Sequence, residues 1–262
     1  MRKFIKGLIL SLAVAVVLVG CSSGESSDAG TQDDNALIVG IDDTFAPMSF
    51  RDNEGNIVGF DVDLAEQVSE ITGYEMTFQP IDWALKETEL NQGNIDLIWN
   101  GYTITEERAE QVAFSIPYMS NSQMIVTLGD TGIETKEDLA GKVVAAQQSS
   151  SAVEAIQNDP SGIVSEFDNG EVIQYPSNND VFNDLISGRA DAIVVDETMG
   201  RYYMNQNPDY DYKVLEDNFG EEEYAVGMRQ EDTELKAEID GALEQIIGTE
   251  TYDEIFNKWF GQ

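Results

Sequence analysis

Histidine is absent from this chain and cysteine occurs once, at Cys21. A Ser-His-Asp triad, a Cys-His pair and a His/Cys zinc cage each need an imidazole or several thiolates, so all three are excluded. Carboxylate, hydroxyl, lysine and tyrosine chemistry remains, and two positions concentrate it. The first is the segment Gly101-Tyr102-Thr103-Ile104-Thr105-Glu106-Glu107-Arg108. Thr105 is placed to cap a helix, and Arg108 then falls in the first turn, where a cation opposes the helix dipole. The arrangement makes sense if an anion joins it. Gly101 lets a backbone approach, the Thr103 hydroxyl and amide donate, and Arg108 grips a carboxylate in bidentate fashion. The same residues also read as a surface arginine paired with Glu106 or Glu110. The second position is Asp196, which ends the apolar run 192–195 ahead of a helical segment. It reads either as that helix's N-cap or as a partly buried carboxylate that binds an ammonium group. An anion site and a cation site together describe a zwitterion. Phe45, in the first strand-to-helix turn, and Trp83, at the start of a helix, read as core or as walls of the same site. No GxGxxG or GxxxxGK(S/T) phosphate cradle is present.

These residues are carried by an alternation of short β-branched runs and helically spaced apolar residues. Residues 37–41, 76–78 and 95–99 read as strands, with helices over 61–71 and 83–92 between them. The series restarts with strands at 142–146, 172–175 and 192–195 and helices at 150–157, 180–187 and 197–205. Alternation of this kind predicts an α/β fold with largely parallel sheets. The halves echo each other: aligning Gly93 with Gly188 sets Leu90 on Leu185, Asp96 on Asp191 and Ile98 on Ile193. Gly101 and Asp196 then occupy equivalent strand ends, and open α/β sheets bind ligands just beyond such ends.

Composition narrows the partners. The 262 residues carry 14 bases and 50 acids, for a formal charge of −36, and 42% of them are hydrophobic. A nucleic-acid backbone demands clustered Lys and Arg that this chain lacks, and the apolar content is too high for a disordered acidic tail. At the N-terminus, Arg2, Lys3 and Lys6 precede an apolar run over residues 7–19, the order of a secretory signal. The run ends Leu18-Val19-Gly20-Cys21, which resembles the lipobox of bacterial lipoproteins. The resemblance implies a signal peptide over residues 1–20 and a diacylglycerol thioether on Cys21. Residues 21–35 are polar and Gly/Ser-rich and read as a flexible tether. Loss of residues 1–20 removes three bases and no acid, which moves the formal charge to −39.

Five ordered motifs together resemble the polar amino-acid substrate-binding proteins of ABC importers. They are Gly40-Ile41-Asp42-Asp43-Thr44-Phe45-Ala46-Pro47, Val58-Gly59-Phe60-Asp61-Val62-Asp63-Leu64-Ala65, the segment from Gly101 to Arg108, Phe114-Ser115-Ile116-Pro117-Tyr118, and Ser187-Gly188-Arg189-Ala190-Asp191-Ala192. The terminal stretch from Thr251 to Gly261 follows the same pattern, so the resemblance covers residues 36–262. It implies a two-lobed periplasmic-binding-protein fold of type II, with lobe 1 made of residues 36–121 and 223–262 and lobe 2 of residues 122–222. By matched position, Arg108, Thr103 and Gly101 would hold an α-carboxylate and Asp196 an α-ammonium. Phe45 and Trp83 would flank the side chain, Asp42 would line the floor, and Ser150 and Ser151 would add donors. Ser149-Ser150-Ser151 stands where the family usually shows Gly-Thr-Thr, Met48 where Phe is common, and Lys86-Glu87-Thr88-Glu89-Leu90 where the segment is mostly apolar. Glu87 reads as a partner for a cationic ligand side chain, for Lys86 or for Arg108.

The implied mechanism is a hinge: a zwitterion bridging Arg108 and Asp196 stabilises the closed form, which docks on a membrane permease. The resemblance implies no catalytic residue, metal or cofactor, a monomer, and an extracytoplasmic protein anchored to the outer face of the cell membrane. Two other readings share the fold: an enzyme resembling cyclohexadienyl dehydratases, with Asp42, Glu87 or Asp196 as general acid, and an amino-acid sensor acting through a partner.

Overall fold

The computed structural model describes residues 35–129 and 131–261, so the expected signal peptide and Cys21 lie outside the described residues. The first half opens with β1 (Ala36–Ile41), followed by three short antiparallel strands, β2 (Thr44–Phe45), β3 (Ser49–Arg51) and β4 (Ile57–Val58). Helix α1 (Phe60–Thr72) begins after Gly59, carries Asp61 and Asp63 in its first turn, and stops at Gly73, whose left-handed φ of 81° ends the helix without a Cβ penalty. Its apolar residues Phe60, Leu64, Ala65 and Val68 recur at helical spacing and are buried. Then follow β5 (Glu75–Pro80), α2 (Lys86–Asn91), β6 (Leu97–Ile98), α3 (Glu106–Ala109) and β7 (Ala113–Phe114). The helix expected from Trp83 starts instead as a single 3-10 turn, because the Asp82 side chain accepts from the Ala84 amide and tightens the entry.

The second half runs β8 (Met119–Leu128), β9 (Val144–Gln147), α4 (Ser151–Gln157), β10 (Ile173–Tyr175), α5 (Asn178–Ile186), β11 (Ala192–Asp196) and α6 (Glu197–Gln206). The long strand β12 (Tyr212–Tyr224) then leads to β13 (Gly227–Met228), α7 (Thr233–Ile246) and α8 (Glu250–Phe260). Strand β9, paired in parallel with β10 and β11, is buried on both faces, as its unbroken run Val144-Ala145-Ala146 requires where both sheet faces are covered.

Two five-stranded sheets result, in the orders β5-β1-β6-β13-β7 and β10-β9-β11-β8-β12. In each, three parallel strands occupy the same relative order and two antiparallel strands complete the edge. The repeat seen in the sequence has a structural counterpart. The Asp96 carboxylate accepts the Ile38 amide at 2.9 Å, and Asp191 accepts the Val143 amide at 2.8 Å. Gly93 and Gly188, at φ 75° and 72°, close the helices ahead of them. The fourth strand of each sheet comes from across the chain: β8 follows the first half into the second sheet, and β13 returns to the first. The boundaries expected near residues 121 and 222 fall inside β8 and β12, the two crossing strands.

One buried apolar cluster extends from Val39, Phe60 and Trp99 to Val126, Phe182 and Ile193, and so underlies both sheets. Asp61 is fully buried within the first half, where its Oδ2 accepts the Gly101 amide at 2.6 Å. Burial pushes this carboxyl up to about 7. The folded state therefore holds a proton that the unfolded state, titrating near 4, has already lost, so this group's contribution to stability falls as pH rises from about 4 to about 7 and is flat above. Asp61→Asn keeps an acceptor for Gly101 and removes the titration. Melting curves at pH 5 and pH 8 should show the wild type losing about 5 °C more than D61N across that interval.

Candidate ligand-binding site

The residues singled out in the sequence converge where the carboxyl ends of the two sheets face each other. Phe45, Trp83, Gly101, Arg108, Ser150, Ser151 and Asp196, with Asn100 and Gln147, enclose a cavity of about 10 Å³, room for a single water molecule. Thr103 and Asp42 lie one bond behind. The Thr103 hydroxyl meets Ser151 Oγ at 3.1 Å, and Asp42 Oδ2 accepts from Gln147 Nε2 at 2.8 Å.

Arg108 is 5% exposed and pairs with neither Glu106 nor Glu110 among the described residues. Thr105 caps α3 by accepting the Arg108 amide at 3.2 Å, as its position ahead of Glu106-Glu107 predicts. The side chain then turns inward over the Tyr102 ring, 4.7 Å from its centroid, and donates to Thr103 O at 3.0 Å and Ser149 O at 3.4 Å. Gly101 holds φ 53°, and a Cβ there would sit 2.8 Å from a Phe45 ring carbon, so the residue meets both conditions that favour glycine.

Asp196 stands at the N-cap position of α6 but makes no capping bond. Its Oδ1 instead accepts from Tyr224 Oη at 2.7 Å, Asn121 Nδ2 at 2.7 Å and Gln123 Nε2 at 3.1 Å. Burial, with the Glu222 charge beside it, pushes this carboxyl up to about 8. On the floor, Asp42 accepts from the Thr44 amide and hydroxyl at 2.9 and 2.6 Å as well as from Gln147, and has no cationic partner among the described residues. Asn178 braces Gln147 from behind through its Oε1 at 2.8 Å.

Several contributors were not legible beforehand. Lys86, 2% exposed, donates to Trp83 O at 3.2 Å and across the cleft to Ser149 O at 3.0 Å. Burial first, and the nearby Arg108 charge second, lower it to about 8. Glu87 pairs with Lys86 at 3.2 Å and accepts from Tyr102 Oη at 2.9 Å. Of its three readings the structure favours the lysine. Gln147 and Asn100 sit at strand ends beside the predicted residues, where the rule for open sheets would have found them. Asn121, Gln123 and Glu222 lie on β8 and β12, in polar stretches without any local signal.

A second pocket of about 300 Å³ adjoins the first through Arg108 and Ser150, and Glu87, Glu107 and Glu154 line it with Lys86. A larger cavity of about 750 Å³ lies elsewhere, walled by Tyr202, Tyr252, Phe256 and Trp259, and its Arg201 is already paired with Glu197 at 2.6 Å. The Asp42–Gln147, Thr103–Ser151, Lys86–Ser149 and Arg108–Ser149 contacts all join the first half of the chain to the second across the cleft. No group of acids, Cys or His among the described residues has the arrangement of a metal site.

Two matched α/β sheets, joined by two crossing strands and meeting over a cleft with opposed charges, define a two-lobed binding protein. The chain matches the bacterial extracellular solute-binding proteins, family 3, over residues 37–262, and it belongs to that family. It is 29% identical over 255 residues to the arginine-binding extracellular protein ArtP of Bacillus subtilis, covering 97% of this chain and 98% of that one. It is 30% identical over 260 residues to the lysine/arginine/ornithine-binding periplasmic protein of Escherichia coli, with 95% and 96% covered. Among solved structures, the substrate-binding protein of an ABC uptake transporter from Streptococcus pneumoniae, with bound histidine, superposes with a TM-score of 0.83 at 40% identity, over 87% of this chain and 93% of that one.

Ser149 holds φ 56°, the left-handed conformation that the glycine expected there would adopt freely. Ser149→Gly should relieve that strain and raise stability by about 1 kcal/mol, read as an increase in melting temperature, with the carbonyl still facing Lys86 and Arg108.

Proposed function

We infer that this protein is the amino-acid-binding component of an ABC importer and that its cleft takes an α-amino acid with a cationic or polar side chain. The observation that carries the reading is the placement of Arg108 and Asp196 on one cavity, the first without an anion among the described residues and the second without a cation. An α-carboxylate on Arg108, assisted by Thr103, Gly101, Ser150 and Ser151, and an α-ammonium at Asp196 neutralise both. Phe45 and Trp83 flank the side chain. Asp42, with neutral donors alone, and the acids of the adjoining pocket favour a cationic end group, in keeping with relatives named for arginine, lysine, ornithine and histidine.

The cavity is smaller than any amino acid, so entry requires the two halves to part, and closure re-forms the four cross-cleft contacts around the ligand. A ligand with both charges gains from both halves and shifts the equilibrium toward closure; one with a single charge gains from one. We read the hinge as β8 and β12, with lobes of residues 36–121 plus 223–262 and 122–222. The cleft acts by binding rather than turnover, and the relatives are binding proteins. The monomer delivers its ligand to a membrane permease from outside the cytoplasm, held there by a lipid on Cys21.

Thermal melts of the purified protein against the twenty amino acids and cystine test the binding role. A ligand at about 100 times its dissociation constant adds about 2.7 kcal/mol. The shift should be confined to one chemical group of amino acids and lost in Arg108→Ala and Asp196→Ala; equal melts with every compound would overturn the reading. Anchorage is tested separately: labelled palmitate should be incorporated by the wild type and not by Cys21→Ser, and an unlabelled wild type would exclude the lipid.

A further inference from the structure

Asp196 does not hold its donors alone. On β12, separated from β11 by β8, Glu222 lines the adjoining groove and brings its Oε1 to the same amides: Asn121 Nδ2 lies 2.7 Å from both carboxylates, and Gln123 Nε2 bonds both. Glu222 Oε1 also lies 3.5 Å from Ser151 Oγ, which reaches the Thr103 hydroxyl on the far wall. Two carboxylates held by shared amide nitrogens repel each other, and neutral donors do not remove that repulsion. The two hydrogens of Asn121 are spent on the pair. Those of Gln123 face three acceptors, Ser151 Oγ, Asp196 and Glu222, while Gln123 Oε1, buried, has no donor among the described residues. Tyr224 Oη contributes one more. No cation pairs with either carboxylate among the described residues, so either a proton or an ammonium group relieves the pair.

We propose that Glu222 is the second carboxylate of the ammonium site, and that the pair it forms with Asp196 keeps one proton until the ammonium of an amino acid displaces it. This rests on the reading of the cleft as an amino-acid site. In the free protein the proton sits on Asp196, held there by burial and by the Glu222 charge. When the ligand enters, its N–H bonds replace that hydrogen, the carboxyl gives its proton to solvent, and the charge of Arg108 is met by the incoming carboxylate. The other groups around the pair are Tyr224 on β12, Glu154 on α4 across the groove beside Glu222, and Glu197 on α6, whose carboxylate is taken by Ser122 and Arg201. None of these supplies a second cation. Glu222 thus selects for a ligand with a true ammonium and makes affinity rise with pH while the ligand stays protonated.

Calorimetric titration of the full-length protein at pH 7, in buffers of differing ionisation enthalpy, counts the protons released. The probes are L-arginine, L-lysine, L-histidine and L-glutamine. With the compound that binds, about one proton should leave, and affinity should rise close to tenfold per unit between pH 5.5 and 7. Glu222→Gln should abolish the release, flatten that profile and weaken binding about tenfold at pH 7 with little change at pH 6, whereas Asp196→Asn should weaken binding at every pH. A residue with a merely structural role would lower affinity equally across the range. If the wild type binds and releases no proton, or E222Q releases as many as the wild type, the proposal is wrong and the binding role stands. If no probe binds the wild type, the amino-acid reading itself fails. Where E222Q folds poorly, Glu222→Met of similar size takes its place, and a release equal to that of the wild type overturns the proposal.

Discussion

Arg108 carries a full positive charge into a space where it is 5% exposed and finds carbonyl oxygens and an aromatic face in place of a carboxylate. Burying a cation in this way costs several kcal/mol unless other charges or dipoles meet it. The fold meets it in part. Thr105 fixes the start of α3, Thr103 O turns toward the guanidinium, and Ser149 O is brought across from the other half of the chain. What these dipoles leave uncompensated a carboxylate would compensate, and on the proposed reading of the cleft ligand affinity and closure draw on the same interaction. Lys86 adds a second cation to the same Ser149 carbonyl, and its lowered pKa expresses first the cost of burying that charge and then its repulsion by Arg108.

The opposite wall follows the converse logic. Asp196 and Glu222 crowd negative charge around a few amide donors, and the chain tolerates this because Asn121 and Gln123 come from β8 while Tyr224 and Glu222 come from β12. The strands that carry the chain between the sheets are therefore also the strands that carry the acid pair and its donors. Register shifts between Val214 and Asn218, and again between Asn218 and Glu221, set which side chains of β12 face Asn121 and Gln123.

Much of this was legible in the sequence where local physics decides. The runs at β1, β9 and β11 are β-branched and apolar because both sheet faces are covered, and the repeated Gly-x-x-Asp gave the matched hooks at Asp96 and Asp191. Arg108 and Asp196 could be marked but not decided, since surface pairing and capping were equally consistent with their neighbours; burial and partners resolve both. The crossing strands were missed as strands. β12 mixes Tyr, Lys, Glu, Asp and Asn with bulges and earns its place by pairing with β8, a contact some hundred residues distant that no window of sequence contains. Glu222 was hidden for the same reason, as one acid in the run Glu221-Glu222-Glu223 whose alternation has meaning after pairing. Lys86 read as a departure from an apolar pattern, and its partner across the cleft is a tertiary fact.

The position of α8 bears on the order in which the molecule assembles. The second sheet is built from one continuous stretch, β8 to β12, and its strands are all present once residue 224 has emerged. The first sheet needs β13, and its helix α1 stays uncovered longer still, because Phe60 packs against Tyr252, Phe256 and Phe260 at the extreme end of the chain. A chain cut before α8 would retain every strand and every cleft residue named above, yet uncover the side of the Phe60 ring that does not rest on Tyr118. The C-terminal helix thus seals the part of the protein that was synthesised first, and an incomplete copy is marked by exposed aromatic surface and not by a missing site.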